Sequence, residues 1–302
     1  MKKVLKKKSK QKASRRSSKK KISKKKSVKL KKLVVKKSSH KKSEEIKHFR
    51  TGIKGFDVLL DKGIPTGTAV LVEGGPGSGK TLFCLQTGYN ACKAGKKVLY
   101  MTFEEPPRRL MGHMKNFGWN PEKYVKSGHL LIRRFNALDV ARSVEALLSE
   151  AKKELLIDIQ PVLIPEDYKP DLVIIDSLSS IASAFSGEES RFRIYMEQLF
   201  RYLETHNITS LLIRETSNPT HLGNVYTQGG EAVSFLADGI IVIYNVVHYN
   251  GQRGRAVEIL KMRGEDIDRR IVMAEIKNKK GYVINSKKTL KMKHMKGSYK
   301  LT

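Results

Sequence analysis

Eight consecutive residues have the types and the spacing of a loop that binds phosphate groups. Glycines allow the backbone to curl, so that several N–H groups can point at phosphate oxygens. Lys80 would neutralise the β- and γ-phosphates, and Thr81 would ligate Mg²⁺. The residues of this phosphate loop are Gly74, Gly75, Pro76, Gly77, Ser78, Gly79, Lys80 and Thr81. The segment predicts a site for ATP and Mg²⁺, with a purely structural glycine-rich turn as the alternative.

A phosphate loop needs a second acidic group to hold the metal, and Asp176 is the candidate. It closes the apolar run at residues 172–175, which has the character of a buried strand. A carboxylate at the carboxyl end of such a strand would face the phosphate loop and hold Mg²⁺ through water. The alternative role is the N-cap of the next helix, because Ser177 follows. Asp158 and Asp171 flank less regular runs and are weaker candidates for the metal.

Glu104 and Glu105 follow another predicted strand, and Glu104 lies 24 residues after Lys80. A carboxylate there can orient a water molecule in line with the γ-phosphate, which is what hydrolysis by this class of site requires. Glu105 could share the work. The alternative is that both acids only favour the positive end of the helix that Pro106 and Pro107 begin.

Apolar runs alternate with helical patterns from Thr51 onward, which predicts an α/β fold with a largely parallel sheet covered by helices on both faces. We predict strands at residues 69–73, 97–103, 129–134, 172–176, 208–213, 239–247 and 256–262. Helices are predicted from Lys80 to Gly95, from Pro106 to about Phe117, after Asp139 as N-cap, and around residues 192–203. The prolines within residues 157–170 predict a surface excursion. Cys84 and Cys92 are expected to be reduced and buried.

The charge of the chain is concentrated at its ends. Of 60 Lys and Arg residues, 22 lie in residues 1–43 and six in residues 286–302, and neither segment contains an acid. We therefore predict a disordered basic tail at 1–43, one ATPase domain at 44–285 and a basic C-terminal tail at 286–302. No run approaches the roughly 18 apolar residues of a membrane span, so we expect a cytoplasmic protein without a membrane partner.

Several further motifs resemble those of one family, the KaiC-type branch of the RecA-like P-loop ATPases. Residues 51–57 with 63–65 are similar to its entry segment, and residues 103–105 to its catalytic glutamate pair. Residues 117–119 also fit, and residues 175–179 resemble its Walker B segment. Residues 261–264, Lys-Met-Arg-Gly, are similar to a late motif of the family. The resemblance covers nearly all of residues 51–284.

The resemblance implies a ring, expected to be a homohexamer, that hydrolyses ATP held at each subunit interface. It also implies that Lys261 and Arg263 reach into the ATP site of a neighbouring subunit. From the residues alone, a Lys and an Arg two apart on a strand only share a face, which could be solvated. The family's clock protein has two such domains, whereas this chain has one phosphate loop. Its autophosphorylated Ser-Thr pair would fall on Ser234 and Phe235, so the second acceptor is missing.

Three functions are compatible with these patterns. The first is a KaiC-like ATPase that acts as a regulatory switch on a protein partner. The second is a DNA-handling RecA-like recombinase or repair ATPase whose basic tails attract nucleic acid. The third, a scaffold without activity, is weak because the glutamates and the phosphate loop are both intact.

Overall fold

The computed structural model describes residues 47–151, 164–165, 167–216, 231–247, 252–290, 292–295 and 298–301. The basic tail predicted at residues 1–43, Asp158 and most of the excursion predicted at 157–170 lie outside these residues. The strands are β1 (His48–Phe49), β2 (Ile64–Pro65), β3 (Ala69–Gly74), β4 (Val98–Thr102), β5 (Leu130–Arg134), β6 (Leu172–Asp176), β7 (Thr209–Glu215), β8 (Gly239–Val247), β9 (Arg253–Met262), β10 (Val272–Lys277), β11 (Gly281–Thr289), β12 (Met292–Met295) and β13 (Ser298–Leu301). The helices are α1 (Lys54–Asp57), α2 (Lys80–Lys93), α3 (Pro107–Asn116), α4 (Pro121–Lys126), α5 (Ala137–Ala151), α6 (Leu178–Ala184), α7 (Glu189–Thr205) and α8 (Glu231–Leu236).

A nine-stranded sheet organises the described part of the chain, in the order β11-β10-β9-β8-β3-β7-β6-β4-β5. The six strands from β8 to β5 are parallel to their neighbours, and β9, β10 and β11 extend the sheet with antiparallel pairings. The predicted α/β fold with a largely parallel sheet is confirmed. Because β11 continues to Thr289, the sheet reaches into the segment predicted as the C-terminal tail.

The strand order changes direction around β3. The chain leaves β3 through α2 and returns at β4, three positions along the sheet, whereas β8 pairs with β3 on its other side. In an open sheet of this kind, ligands bind in the crevice outside the carboxyl ends of the strands at such a switch point. The ends of β3, β4, β6 and β7 therefore define where a site can form.

Apolar side chains alternate between the two faces of the sheet, as the two-residue period of a strand requires. In β6, Leu172 and Ile174 join one buried cluster, and Val173 and Ile175 join the other. The first cluster includes residues of α2, and the second includes residues of α5, α6 and α7. Helices thus cover both faces, as predicted. Within the described residues, no helix combines the length and the apolar character that crossing a membrane requires.

Helix α5 begins earlier than the sequence predicts. Ala137 is its first residue, and the Asn136 side chain accepts a hydrogen bond from the Leu138 amide at 3.0 Å. Asparagine caps a helix as well as aspartate does, so the N-cap prediction for Asp139 is wrong. Asp139 lies in the first turn, where its charge is favourable.

The described end of the predicted excursion packs on the sheet. The Tyr168 hydroxyl donates to the carbonyls of Val98 and His129, at 3.1 Å each. Cys84 and Cys92 are free and buried in α2, as predicted.

Candidate nucleotide site

The phosphate loop connects β3 to α2, which is the strand-loop-helix context that the motif needs. Gly79 precedes the helix with φ at 97°, a conformation that glycine adopts without strain. The side chain of Lys80 is 6% exposed, and its Nζ donates to the carbonyls of Gly74 and Gly75 at 3.0 and 3.1 Å. Its ammonium group therefore lies over the loop, where phosphate oxygens would replace these carbonyls.

Asp176 lies directly beside Thr81, at the end of β6. Thr81 Oγ1 donates to Asp176 Oδ2 at 3.1 Å, and the buried Tyr100 hydroxyl donates to the same oxygen at 2.6 Å. The N-cap of α6 is Ser177, whose side chain accepts from the Ser180 amide, so the structure does not give Asp176 that role. Two adjacent oxygen ligands of this kind suit Mg²⁺, which prefers carboxylate and hydroxyl oxygens.

Burial raises the pKa of the Asp176 carboxyl to about 6, and the nearby negative charges of Glu104 and Glu105 act in the same direction. The hydrogen bonds from Tyr100 and Thr81 oppose this shift. A divalent cation beside the carboxylate would favour its charged form. The acidic, partly desolvated character of these groups therefore fits a divalent metal ion.

Glu104 is held at the rim of the same cleft by two serine hydroxyls. Ser177 Oγ and Ser180 Oγ both donate to its Oε1, at 2.7 and 2.9 Å. This side chain therefore contacts the β6–α6 junction instead of the positive end of α3. Within the part of the chain that the structure describes, no group donates to its second oxygen, Oε2, so this is the atom suited to accept a hydrogen bond from water.

Glu105 has a different environment. Its Oε2 lies 3.0 Å from His113 Nε2 and 3.7 Å from Arg109 Nε, and both partners belong to α3. The Glu105 carboxylate thus interacts with two side chains of α3. The two neighbouring glutamates therefore contact different elements: Glu104 binds the β6–α6 junction, and Glu105 binds α3.

Together these groups line one cleft of about 320 Å³ at the carboxyl edge of the sheet. Its lining comprises Gly77, Gly79, Lys80, Thr81, Leu82, Leu85, Glu104, Glu105, His113, Phe117, Asp176, Ser177, Ile213 and Glu215. The fold therefore brings the predicted phosphate-loop lysine, the metal ligands and the glutamates into one place. Asp171 is excluded from this cleft, because it lies at the opposite end of β6 and accepts from the Lys97 amide at 2.8 Å.

Comparisons with known proteins agree with this geometry. A model of the family described as "ATPase: KaiC" matches residues 49–289. The chain belongs to the KaiC ATPase family. It is 29% identical over 257 residues to the circadian clock protein KaiC3 of Synechocystis sp., covering 85% of this chain and 49% of that protein. It is 31% identical over 247 residues to a UPF0273 protein of Thermotoga maritima, covering 79% of this chain and 96% of that protein.

A solved structure shows the same fold. The crystal structure of a KaiC-like protein from Pyrococcus horikoshii OT3 is 30% identical, with a TM-score of 0.62, and the match covers 80% of this chain and all of that one. The chain thus spans about half the length of KaiC3 and nearly the whole length of the two shorter relatives. It corresponds to a single KaiC-like domain.

The late KaiC-like motif lies away from this chain's own cleft. Lys261 Nζ donates to the carbonyls of Ser234 and Ala237 at 3.2 and 2.6 Å, and Arg263 donates to the Phe235 carbonyl at 2.8 Å. Partial burial lowers the pKa of the Lys261 ammonium, and the charge of Arg263 acts in the same direction. Both cations bind carbonyls at the end of α8, where the helix dipole favours positive charge. The sequence did not predict this contact.

Ser234 and Phe235, which the sequence analysis expects to match the clock protein's phosphorylated pair, lie in α8. Ser234 is 8% exposed and accepts a hydrogen bond from Arg214 at 2.7 Å, and the next residue, Phe235, is 71% exposed. This hydrogen bond joins Ser234, in α8, to Arg214, on β7.

The hydrogen-bond partners of the acidic residues were not predicted from the sequence: Tyr100 bonds Asp176, Ser180 bonds Glu104 and His113 bonds Glu105. Tyr100 and Ser180 were hidden because each bonds a residue 76 positions away in sequence. Tyr100 lies two residues before the end of β4 and could be taken only for core packing. The one available signal was the serine-rich stretch after Asp176, since hydroxyl groups there can reach the adjacent strand end.

Proposed function

We propose that this chain binds ATP with Mg²⁺ in the cleft and hydrolyses ATP to ADP and phosphate. The observation that carries the proposal is the convergence of Lys80, Thr81, Asp176 and Glu104 on one cleft at the switch point of the sheet. These are the positively charged, metal-ligating and water-orienting groups that phosphoryl transfer to water requires. Membership of the KaiC ATPase family supports the same activity.

Each residue has one task in this proposal. Lys80 exchanges its bonds to the carbonyls of Gly74 and Gly75 for bonds to phosphate oxygens. Thr81 and Asp176 hold Mg²⁺, which when bound neutralises charge on the β- and γ-phosphates. Glu104, fixed through Oε1 by the two serines, uses Oε2 to orient the attacking water and accept its proton. Glu105, bound by His113, contributes to the negative rim.

We further propose that the chain works as a homohexameric ring in the cytoplasm and acts as a regulatory switch on a protein partner. The family relationship supports this oligomeric state and role. Lys261 and Arg263 support it as well, because both cations lie outside the cleft of their own chain, beside the exposed Phe235. A cation supplied across an interface stabilises charge on the transferred phosphoryl group and couples hydrolysis to assembly.

Hydrolysis is expected to depend on Mg²⁺ through Asp176. In Asp176→Asn the side chain keeps its size and can still accept from Tyr100, but its negative charge is gone. The Mg²⁺ concentration for half-maximal phosphate release should rise about 10- to 100-fold, as for other losses of metal-supporting groups. The matched control is Asp171→Asn, at the other end of the same strand. Equal Mg²⁺ dependence in all three proteins would remove Asp176 from the metal site.

A nucleic-acid role is the second candidate, and the 22 cations of residues 1–43 favour it. Deleting residues 1–43 should leave ATP hydrolysis unchanged and weaken binding to a fluorescent single-stranded DNA oligonucleotide, with a smaller dependence on salt. Fluorescence anisotropy at several salt concentrations measures both quantities. Binding that stays strong and equally salt-sensitive would assign nucleic-acid contact to the rest of the chain.

A further inference from the structure

The carbonyl groups of the phosphate loop bond to side chains from β8, β9 and β11. Asn245 Nδ2, on β8, donates to the Pro76 carbonyl at 2.9 Å. Arg255, on β9, donates through one nitrogen to the Gly77 carbonyl at 3.2 Å and through Nε to the Ser78 carbonyl at 3.0 Å. Three consecutive carbonyls of the loop are therefore bonded by residues that belong to later strands.

Tyr282, on β11, adds a second donor to the last of these carbonyls. Its hydroxyl donates to the Ser78 carbonyl at 2.6 Å. The side chain of Gln86, in α2, bonds both the amide and the carbonyl of Tyr282, at 2.6 and 3.3 Å. Burial raises the pKa of the Tyr282 phenol, so its hydroxyl is a proton donor at neutral pH. The tyrosine thus connects the body of α2 to the loop that precedes it.

The direction of these carbonyls decides where the loop amides point. A trans peptide is planar, and its C=O and N–H groups lie on opposite sides of the chain. When the carbonyls of Pro76 and Ser78 are held by donors on the sheet side, the amides of Gly77 and Gly79 are turned the other way. Gly77 and Gly79 line the cleft. Such oriented amides are what binds a phosphate group at the start of a helix.

We propose that Asn245, Arg255 and Tyr282 are positioning residues for the phosphate groups of the nucleotide. They act through the loop carbonyls and keep the amides directed into the cleft before the ligand arrives. Affinity is gained because the loop does not have to be ordered during binding. The inference rests on the proposed function for the identity of the ligand, and it adds a second layer of residues to the phosphate site.

The test uses two conservative variants of the full chain that leave no loop carbonyl buried without a donor. In Tyr282→Phe the Ser78 carbonyl keeps Arg255, and in Arg255→Lys it keeps Tyr282. Each variant should bind MgADP and inorganic tripolyphosphate about fivefold more weakly. Tyr282→Phe removes one hydrogen bond, and Arg255→Lys replaces a guanidinium that bonds two carbonyls by a single ammonium group. The two probes should be affected equally, because these residues bond to the phosphate loop and both probes carry phosphate groups. Isothermal titration calorimetry gives both affinities.

Arg253→Lys is the matched control, since Arg253 is an exposed arginine two positions earlier on β9. It should bind both probes as the unchanged chain does. The ligand-free unfolding midpoint of Tyr282→Phe and Arg255→Lys should also stay close to that of the unchanged chain. A lower midpoint with unchanged probe affinity would show that the two residues serve only stability, and would overturn the proposal.

A third variant, Arg255→Gln, distinguishes an effect of the positive charge of Arg255 from an effect of its hydrogen bonds to the loop. If Arg255→Lys binds the probes normally and only Arg255→Gln is weakened, Arg255 acts through its charge on the phosphates and the proposal is wrong. If the unchanged chain binds both probes but does not release phosphate from ATP, the proposal of hydrolysis is wrong. The role of the positioning residues is then still decided by the affinities of the variants. If the unchanged chain binds neither probe, both proposals fail.

Discussion

Replacing Lys80 by alanine is expected to weaken ATP binding by about 100-fold or more. The Lys80 ammonium is the cation that lies over the phosphate loop, and charged hydrogen bonds of this kind contribute about 1.5–3 kcal/mol each. Folding should be preserved, because the carbonyls that Lys80 now binds have other donors: Gly74 accepts from the Thr216 amide and Gly75 from the Ser78 amide, both at 3.2 Å. Calorimetric titration of the folded variant with MgATP measures the loss.

Lys93→Ala is the control for this experiment. Lys93 is exposed at the other end of the same helix, so its removal changes the net charge equally without touching the cleft. Its affinity for MgATP should equal that of the unchanged chain. Retained affinity in a folded Lys80→Ala protein would contradict the assigned site.

Replacing Glu104 by glutamine should reduce turnover by about 100-fold or more while ATP binding is retained. The amide can still accept from Ser177 and Ser180, so the side chain keeps its position, but it cannot take a proton from water. General-base groups typically contribute about 10²–10⁴ in rate. Phosphate release in single-turnover conditions measures the rate, and calorimetry measures binding. Glu105→Gln should reduce turnover less than Glu104→Gln, because Glu105 is bound to His113. A larger loss of turnover in Glu105→Gln would assign the water-orienting role to Glu105.

The Glu104→Gln variant also serves to test whether Arg263 acts across a subunit interface. Arg263→Ala should also lose turnover with little loss of binding, because it would stabilise charge in a neighbour's transition state. When Arg263→Ala and Glu104→Gln chains are mixed, some interfaces combine an intact Glu104 from one subunit with an intact Arg263 from the next. Part of the activity should return. With subunit exchange verified by native mass spectrometry, no recovery at any ratio would restrict Lys261 and Arg263 to binding the end of α8.

The parallel part of the fold could be predicted from local pattern. Strands β3, β4 and β6 are continuous apolar runs, which is how strands buried on both faces read, and each is followed by turn residues. The short helices α4 and α6 and the strands β10 and β11 were not predicted. Helices of six or seven residues contain too few turns to show a period, and β11 is half polar because its neighbours cover only part of it.

The candidate site was predictable where a motif is contiguous and unpredictable where it depends on the sheet. The phosphate loop is a single segment whose chemistry can be read from spacing, and Asp176 and Glu104 follow from their position at strand ends. Tyr100 and Tyr282 look like core aromatics in the sequence. Their hydrogen bonds to Asp176 and Ser78 exist only because β4 lies beside β6 and β11 lies beside α2. Neither contact can be predicted from the residues that flank these tyrosines in the sequence.

The distance in sequence between the phosphate loop and its supporting strands has a consequence for the order of folding. The contacts of Arg255 and Tyr282 with Ser78 span 177 and 204 residues. Contacts of such separation require large loops to close and form late. During synthesis the motif would emerge early, yet its amides would be oriented only after β11 had joined the sheet. A nascent chain that ends before β11 would contain the whole motif and bind nucleotide poorly, so ligand affinity reports that folding is complete.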